Sequence, residues 1–111
     1  MSLSTHVLDT ANGRPAAAMD VTCEFREGDG WQLLDARQTD TDGRIGGLVE
    51  RDAMRAGTYR LTFATGDWAQ AQGRPSFWPE VSIVFEVAAP DEHYHVPLLL
   101  SPYGYSTYRG S

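Results

Sequence analysis

Apolar and polar residues alternate at a period of two along much of this chain, and this alternation constrains the fold more than any other feature. In Asp20–Glu27 apolar residues occupy every second position, as in a strand with one buried face. Thr58–Thr65 and Val81–Val87 show the same alternation. We therefore expect strands packed face to face.

Turn-forming residues separate the predicted strands. Gly28-Asp29-Gly30 lies between Asp20–Glu27 and Trp31–Gln38, which predicts a hairpin. The cluster Thr39–Gly43 ends in a glycine that tolerates positive φ. We expect this turn to deliver Arg44 to the start of the next short strand.

Two further features complete the predicted elements. Pro90-Asp91 turns the chain between Val81–Val87 and His93–Ser101, which we expect to pair as antiparallel neighbours. Gly66–Gly73 is the one convincing helical stretch, and Pro75 prevents its extension. This helix should be about two turns long and lie on the surface.

The fold class follows from these elements. Several short strands with regular turns and a single short helix favour an all-β antiparallel sandwich. The chain has 111 residues and shows no repeat or linker. We expect one domain over residues 1–111.

The charge balance excludes some classes of partner. Nine basic residues against fifteen acidic ones give a net charge of -6, which repels phosphate backbones and anionic lipid. No apolar run approaches the ~18 residues of a membrane helix. We expect no nucleic acid and no membrane partner, and an electron-rich substrate would need arginine gathered locally.

The single cysteine, Cys23, cannot form an intramolecular disulfide. It lies within an alternating apolar pattern, and no basic neighbour is evident to lower its pKa. We interpret Cys23 as a small buried side chain.

The three histidines are the first functional feature, because imidazole exchanges protons near neutral pH. His93 and His95 are two residues apart and share one strand face. His6 lies in the strand-like segment Leu3–Thr10, where Ser4 shares its face. If the two strands are neighbours, His6 and His95 can meet.

Two other interpretations of the histidines remain open on residue types alone. Each histidine can be an ordinary surface or hydrogen-bonded residue. His93 and His95 together with His6 can also supply a three-histidine zinc site with an open fourth position.

The last eleven residues, SPYGYSTYRGS, are unusually rich in tyrosine and glycine. Chain ends usually fray, so this composition indicates a docked tail. The alternative is an edge strand whose tyrosines reflect β propensity alone.

These residues resemble a known family. LSTHVLDT at 3–10, GRPA at 13–16, GR at 43–44 and HYHVPLLLSPYGYSTYRGS at 93–111 are similar to the transthyretin-like family. The YRGS ending resembles the hydrolases of that family, not its hormone carriers. The resemblance implies a sandwich of two four-stranded sheets and a homotetramer with active sites between subunits, at the ends of a central channel.

The resemblance also implies an activity. It is the hydrolysis of 5-hydroxyisourate to 2-oxo-4-hydroxy-4-carboxy-5-ureidoimidazoline in urate degradation, without a cofactor or a metal. The chain shows no SKL-type ending, which favours the cytoplasm over the peroxisome.

Residue roles come from the same resemblance. His6, Arg44 and His95 match the catalytic positions, whereas His93 matches none. The substrate-binding positions of the tail are Tyr108, Arg109, Gly110 and Ser111.

The mechanism expected from these roles has three parts. His95 takes a proton from water, His6 supplies one to the leaving nitrogen, and Arg44 stabilises the oxyanion. Which histidine is base and which is acid stays open, because the pair titrates together.

Two alternative functions stay open as well. A non-enzymatic carrier can use the same sandwich, since fold does not determine function. A metal-dependent hydrolase is the third possibility, and it would lose activity with a chelator.

Overall fold

The protein is described by a computed structural model that covers residues 2–111 and contains two sheets packed face to face. The helical segments are short: the 3-10 turn Arg51–Ala53 and the helix α1, Thr65–Ala71. The strands are β1 (Leu3–Asp9), β2 (Arg14–Pro15), β3 (Asp20–Glu27), β4 (Gly30–Gln38), β5 (Arg44–Val49), β6 (Gly57–Phe63), β7 (Val81–Val87), β8 (Tyr94–Ser101) and β9 (Gly104–Thr107).

The predicted sandwich is confirmed. One sheet has the order β4-β3-β6-β7, and the other runs β2-β1-β8-β9 with β5 also paired to β1. Strands β2 and β5 bind different parts of the same side of β1, Leu8–Asp9 and Leu3–His6. β2 and β5 thus lie end to end along the same edge of β1, so each sheet is four strands across.

The pairing is not antiparallel throughout. β1 and β8 run parallel, with Ser4 opposite His95 and Leu8 opposite Leu99. A parallel pair needs a long crossover, and here the whole of β2 to β7 lies between the two strands. Local turn residues could not reveal this pairing.

The predicted hairpin between Val81–Val87 and His93–Ser101 is wrong. β7 pairs with β6, whereas β8 belongs to the opposite sheet. Residues 88–93 carry the chain across the sandwich, and the Tyr94 hydroxyl closes this connection by hydrogen bonds with the backbone of Ala89 at 3.1 Å. Alternation shows that a strand has one buried face but not which sheet it joins.

The core lies between the sheets and follows the predicted alternation. Val21 and Phe25 of β3, Leu61 of β6 and Leu98 of β8 are buried. Cys23 is 0% exposed, and burial is the main reason that its pKa is raised to about 12, with the Asp35 and Glu24 carboxylates adding to it. The thiol is therefore a packing group, as expected.

Helix α1 is one residue offset from its predicted start, and one face of it is buried. Trp68 donates its indole N–H to the Ala17 carbonyl at 3.0 Å. Beyond the helix, Arg74 binds Asp9 of β1 through two hydrogen bonds of 2.7 and 2.9 Å. This ion pair ties the loop after α1 to the sheet that carries the histidines.

No helix found among residues 2–111 has the length and apolar character needed to cross a membrane.

Candidate active site

Three neighbouring strands bring the predicted catalytic residues onto one sheet face. β1 lies between β5 and β8, with His6 directly opposite Arg44 and Ser4 directly opposite His95. Opposite residues have Cβ atoms about 5 Å apart and project to the same side. His6, Arg44 and His95 therefore share the outer face of the sheet, as the sequence predicted if β1 and β8 were neighbours.

The turn before β5 places Arg44. The Asp40 carboxylate accepts the backbone N–H of Asp42 and of Arg44, each at 2.9 Å. Gly43 has φ of 75°, and a Cβ there would collide with the Val7 carbonyl oxygen. Glycine thus allows the turn to close against β1 and presents Arg44 beside His6.

His95 is half-buried and held on two edges of its ring. A hydrogen bond of 2.8 Å joins its Nδ1 to the Ser4 hydroxyl. Gly110 covers the opposite edge so closely that an added Cβ would lie 2.6 Å from His95 Cδ2. The ring has little freedom to turn.

The surroundings of His95 favour its neutral form. Burial lowers the pKa of the imidazole most, and the nearby positive charges of His6, His93 and Arg44 lower it further. A hydrogen bond with the Ser4 backbone acts in the opposite direction. A neutral imidazole near pH 7 can accept a proton.

His6 is oriented by a backbone group. Its Nε2–H donates to the Asp42 carbonyl at 2.9 Å, so the proton of the neutral ring resides on Nε2. The nitrogen left for exchange is Nδ1.

Arg44 differs from most other arginines of the chain. Five arginines form ion pairs with a carboxylate: Arg37, Arg55, Arg60, Arg74 and Arg109. The Arg44 guanidinium is exposed and has no hydrogen-bond or ion-pair partner among residues 2–111. In an acidic protein, its five N–H donors remain available to a ligand.

A cleft of about 340 Å³ opens at these side chains. His6 lies beside Arg44 but does not itself line the cleft. The lining residues are Ser4, Thr5, Asp40, Arg44, Ile45, Gly46, His93, His95 and Ser111. The volume suits a small molecule.

The tail is docked, as predicted. Gly110 donates its backbone N–H to the His95 carbonyl at 2.7 Å. Arg109 points away from the cleft, where it binds the Glu92 carboxylate and the His93 carbonyl at 3.1 Å and lies 4.2 Å from the centre of the Tyr94 ring. Arg109 anchors the segment, and Ser111 reaches the cleft.

Comparison with known proteins decides the family. A family model described as HIUase/Transthyretin family matches residues 3–110. The chain belongs to this family. The match to the HIUase/Transthyretin model includes every residue of the cleft wall except Ser111.

Within the HIUase/Transthyretin family, the chain is similar to proteins named as hydrolases. It is 50% identical to the 5-hydroxyisourate hydrolase of Caulobacter vibrioides over 98% of this chain and 97% of that protein. The solved 5-hydroxyisourate hydrolase of Klebsiella pneumoniae is 39% identical, with a TM-score of 0.85 over 99% of this chain and 93% of that one.

A carrier of the same family has the same fold. Sea bream transthyretin, solved in complex with thyroxine, is 32% identical with a TM-score of 0.92, over 99% of this chain and 95% of that one. Backbone similarity therefore does not separate the two branches. Sequence identity does, and it places the chain with the hydrolases, the class of enzyme that the sequence predicted.

Tyr108, like Arg109, lies on the side of the protomer away from the cleft. It is 58% exposed and lines a second cavity of about 360 Å³, together with Phe85 of β7 and Tyr94 of β8. Contact of Tyr108 with substrate stays a prediction.

The histidines do not form a metal site in the described part of the chain. Across residues 2–111, no group of three His, Cys, Asp or Glu side chains could hold a metal ion. The His95 Nδ1 is directed to Ser4 and the His6 Nε2 to Asp42.

Among the wall residues without a predicted role, Ser4 and Asp40 hydrogen-bond directly to the His95 ring and to the Arg44 backbone. Ser4 was placed on the His6 face by the period of two, which was a usable signal for its position. Asp40 was assigned only to a turn, although its carboxylate holds the backbone at Arg44. Nothing in the local pattern distinguishes Asp40 from Asp42.

Proposed function

We propose that this protein hydrolyses 5-hydroxyisourate to 2-oxo-4-hydroxy-4-carboxy-5-ureidoimidazoline in urate degradation. The observation that carries the proposal is the meeting of His95 and Arg44 in one cleft beside His6, in a chain half identical to a named hydrolase of that substrate. The reaction adds water across a cyclic amide-like C–N bond and opens the ring. It requires an activated water and a stabilised oxyanion.

His95 is the group we assign to water activation. Its lowered pKa keeps the imidazole neutral at pH 7, and its Nδ1 is occupied by Ser4. Nε2 is then the nitrogen that takes a proton from the attacking water. Such general-base assistance contributes roughly 10²–10⁴-fold to the rate.

His6 is the group we assign to protonation of the leaving nitrogen. Because its Nε2–H donates to the Asp42 carbonyl, His6 must use Nδ1, which first takes the proton that His95 removed from water and then gives it to the leaving nitrogen. The charge of His6 lowers the pKa of His95, so the two imidazoles are electrostatically coupled.

Arg44 is the group we assign to the developing negative charge. Its guanidinium has no protein partner within the described chain, and its planar set of donors can bind two oxygens of the substrate at once. A donor aimed at an oxyanion is worth about 10²–10³ in kcat.

The tail is assigned to substrate binding. Ser111 lines the cleft and Gly110 lies against His95, while Arg109 holds the segment through Glu92. Tyr108 can serve a site only in another subunit, because it faces away from the cleft of its own protomer.

A homotetramer with sites between subunits is the assembly we propose. The cleft is open, and Arg44 and Ser111 on its wall are exposed. Val84 of edge strand β7 is 57% exposed alongside Tyr108, which favours further contacts at that edge. The cytoplasm remains the predicted compartment.

A carrier function is the second candidate, because the fold matches a thyroxine-bound transthyretin. A carrier does not need two imidazoles and an unpaired guanidinium at one cleft. Binding of an aromatic ligand without turnover of 5-hydroxyisourate would favour it.

The test generates 5-hydroxyisourate from urate in place and follows its disappearance by ultraviolet absorbance. We expect catalytic amounts of protein to accelerate the decay, with His95→Ala close to the spontaneous rate. A wild-type rate equal to spontaneous decay would refute the proposal. Loss of activity with a chelator would favour the metal-dependent alternative.

A further inference from the structure

Ser4 lies on the same sheet face as the proposed catalytic residues, and its hydroxyl contacts His95 directly. Its side chain belongs to β1 and the residue is only 7% exposed. The hydroxyl lies 2.8 Å from His95 Nδ1 and 3.5 Å from His93 Nε2. A buried hydroxyl in this position is set by the parallel register that pairs Ser4 with His95.

The contacts of His95 leave one edge of its ring available. Ser4 occupies Nδ1, and Gly110 packs against the Cδ2 edge. Nε2 has no hydrogen-bond partner anywhere in residues 2–111. The imidazole is therefore aligned with one defined nitrogen free.

We propose that Ser4 is a positioning residue for His95, whose hydroxyl holds Nδ1 and thereby presents Nε2 to the attacking water. The inference rests on the proposed hydrolase function and adds a residue that acts through His95. It assigns the tautomer as well: the resting ring carries its proton on Nδ1, donated to the Ser4 oxygen.

The proton balance is consistent with this assignment. The Nε2 lone pair takes a proton from water as the water oxygen attacks, and the Nδ1–H bond to Ser4 is kept throughout. The hydroxyl is donor and acceptor at once, so it can accept from Nδ1 while directing its own proton to His93 Nε2. The proton on Nε2 then leaves with the product nitrogen or by way of His6.

The charged groups around His95 define the background for the test. His6 of β1, Arg44 of β5 and His93, just before β8, act on its charge, and Asp40 and Ser111 line the same cleft. A substitution at Ser4 leaves His6, Arg44, Asp40 and Ser111 unchanged, and Ser4→Val also removes the 3.5 Å contact of the hydroxyl with His93 Nε2. The hydrogen bond between His95 and the Ser4 backbone is retained.

The matched pair Ser4→Thr and Ser4→Val separates the hydroxyl from packing, because threonine and valine have nearly the same shape. We expect Ser4→Thr to keep most of the activity toward 5-hydroxyisourate. Ser4→Val should lose roughly 10- to 100-fold in kcat, the range typical of lost orienting partners, with KM little changed. Equal losses in both variants, or a loss confined to KM, would overturn the proposal.

A second readout does not depend on turnover. Nitrogen chemical shifts of the His95 imidazole should report Nδ1–H in the wild type and in Ser4→Thr, and a mixture of tautomers in Ser4→Val. The same tautomer in all three proteins would overturn the proposal. If the wild type fails to hydrolyse 5-hydroxyisourate, the proposed function fails, and these spectra still decide whether Ser4 sets the tautomer.

Discussion

At the scale of single residues, Arg44 differs from the arginines that form ion pairs within the protein. Most arginines here are neutralised by a carboxylate, as in Arg60 with Glu24 at 2.8 Å. Arg44 has no such partner in the described residues, although Asp40 is nearby and its Oδ1 accepts two backbone N–H groups. Its charge is thereby kept for a ligand.

Replacing Arg44 by lysine tests this assignment. Lysine keeps the charge but loses the planar pair of donors, so we expect kcat for 5-hydroxyisourate to fall about 100-fold. Steady-state kinetics of Arg44→Lys against Arg51→Lys, at an exposed arginine of the 3-10 turn, provide the comparison. Equal activity of the two variants would contradict the role of Arg44.

The pH dependence of the reaction tests His95. Because burial and the charges of His6, His93 and Arg44 lower the pKa of His95, the neutral base should persist below the ordinary imidazole value of about 6.5. The acidic limb of kcat/KM should therefore lie on the acid side of that value. An acidic limb with a midpoint at or above about pH 6.5 would show that His95 is not the base or that its pKa is not lowered.

The residue types could be predicted from the sequence, whereas the contacts could not. Because residues two apart share a strand face, the sequence predicted Ser4 on the face of His6 and His93 on the face of His95. The hydrogen bonds from His6 to Asp42 and from Ser4 to His95 depend on which strands are neighbours. Side-chain partners across 36 and 91 residues of sequence leave no local pattern.

At the scale of elements, the docked tail is the feature most directly coupled to chemistry. Gly110 approaches His95 so closely that alanine there must push the imidazole. We expect Gly110→Ala to lower kcat about 100-fold, as displacement of a reacting group by about 1 Å does. Kinetics and thermal unfolding measure the two consequences separately.

Gly104→Ala is the matched control in β9. Its added Cβ meets only Ser101 Oγ at 3.5 Å, an ordinary contact, so activity should be kept. If Gly110→Ala is as active as Gly104→Ala, the tail does not constrain His95.

The ion pair between Asp9 and Arg74 joins the loop after α1 to β1. Arg74→Gln leaves the nearly buried Asp9 carboxylate without its cation, and we expect a loss of about 3 kcal/mol in the free energy of unfolding. Chemical denaturation measures it, with Arg51→Gln as the control. A loss as small as that of the control would show that the pair contributes little.

The Asp9–Arg74 ion pair should also make the free energy of unfolding depend on pH in the acid range. Arg74 lowers the pKa of Asp9 in the folded state, mainly through its hydrogen bonds. A carboxyl with a lowered folded pKa stabilises the protein above its unfolded value and loses that contribution as pH falls through the folded value. The stability difference between wild type and Arg74→Gln should therefore shrink below about pH 4, and a constant difference would contradict it.

Element prediction succeeded where the pattern was local. The bounds of β3 and β7 match the expected Asp20–Glu27 and Val81–Val87, and Gly28-Asp29 forms the expected hairpin turn between Glu27 and Gly30. The wrong pairing of β7 with β8 has a physical reason. Both strands bury one face in the same core from opposite sheets, so their alternation looks like that of direct neighbours.

At the scale of the whole molecule, composition mainly indicated which classes of partner are disfavoured. A net charge of -6 disfavours polyanionic partners, yet the cleft is lined by Arg44, His93 and His95. One domain over residues 1–111 and the homotetramer stay predictions. The parallel pairing of β1 with β8 is a long-range feature that the sequence analysis did not predict.

Sedimentation velocity tests the assembly. We expect a species of about four chains of 12.3 kDa, because the exposed Tyr108 and open cleft are completed by neighbouring subunits in the proposed assembly. A monomer with full activity toward 5-hydroxyisourate would contradict sites between subunits.

The central claim is that His6 and His95, from distant parts of the chain, act as one unit beside Arg44. The most direct measurement is a double-mutant cycle of His6→Ala and His95→Ala, with kcat/KM for 5-hydroxyisourate as the readout. When two residues act as a unit, the first substitution already removes most of the activity that the pair provides. The double variant should therefore be about as slow as the slower single variant. Fully multiplicative losses, or an active double variant, would contradict the account.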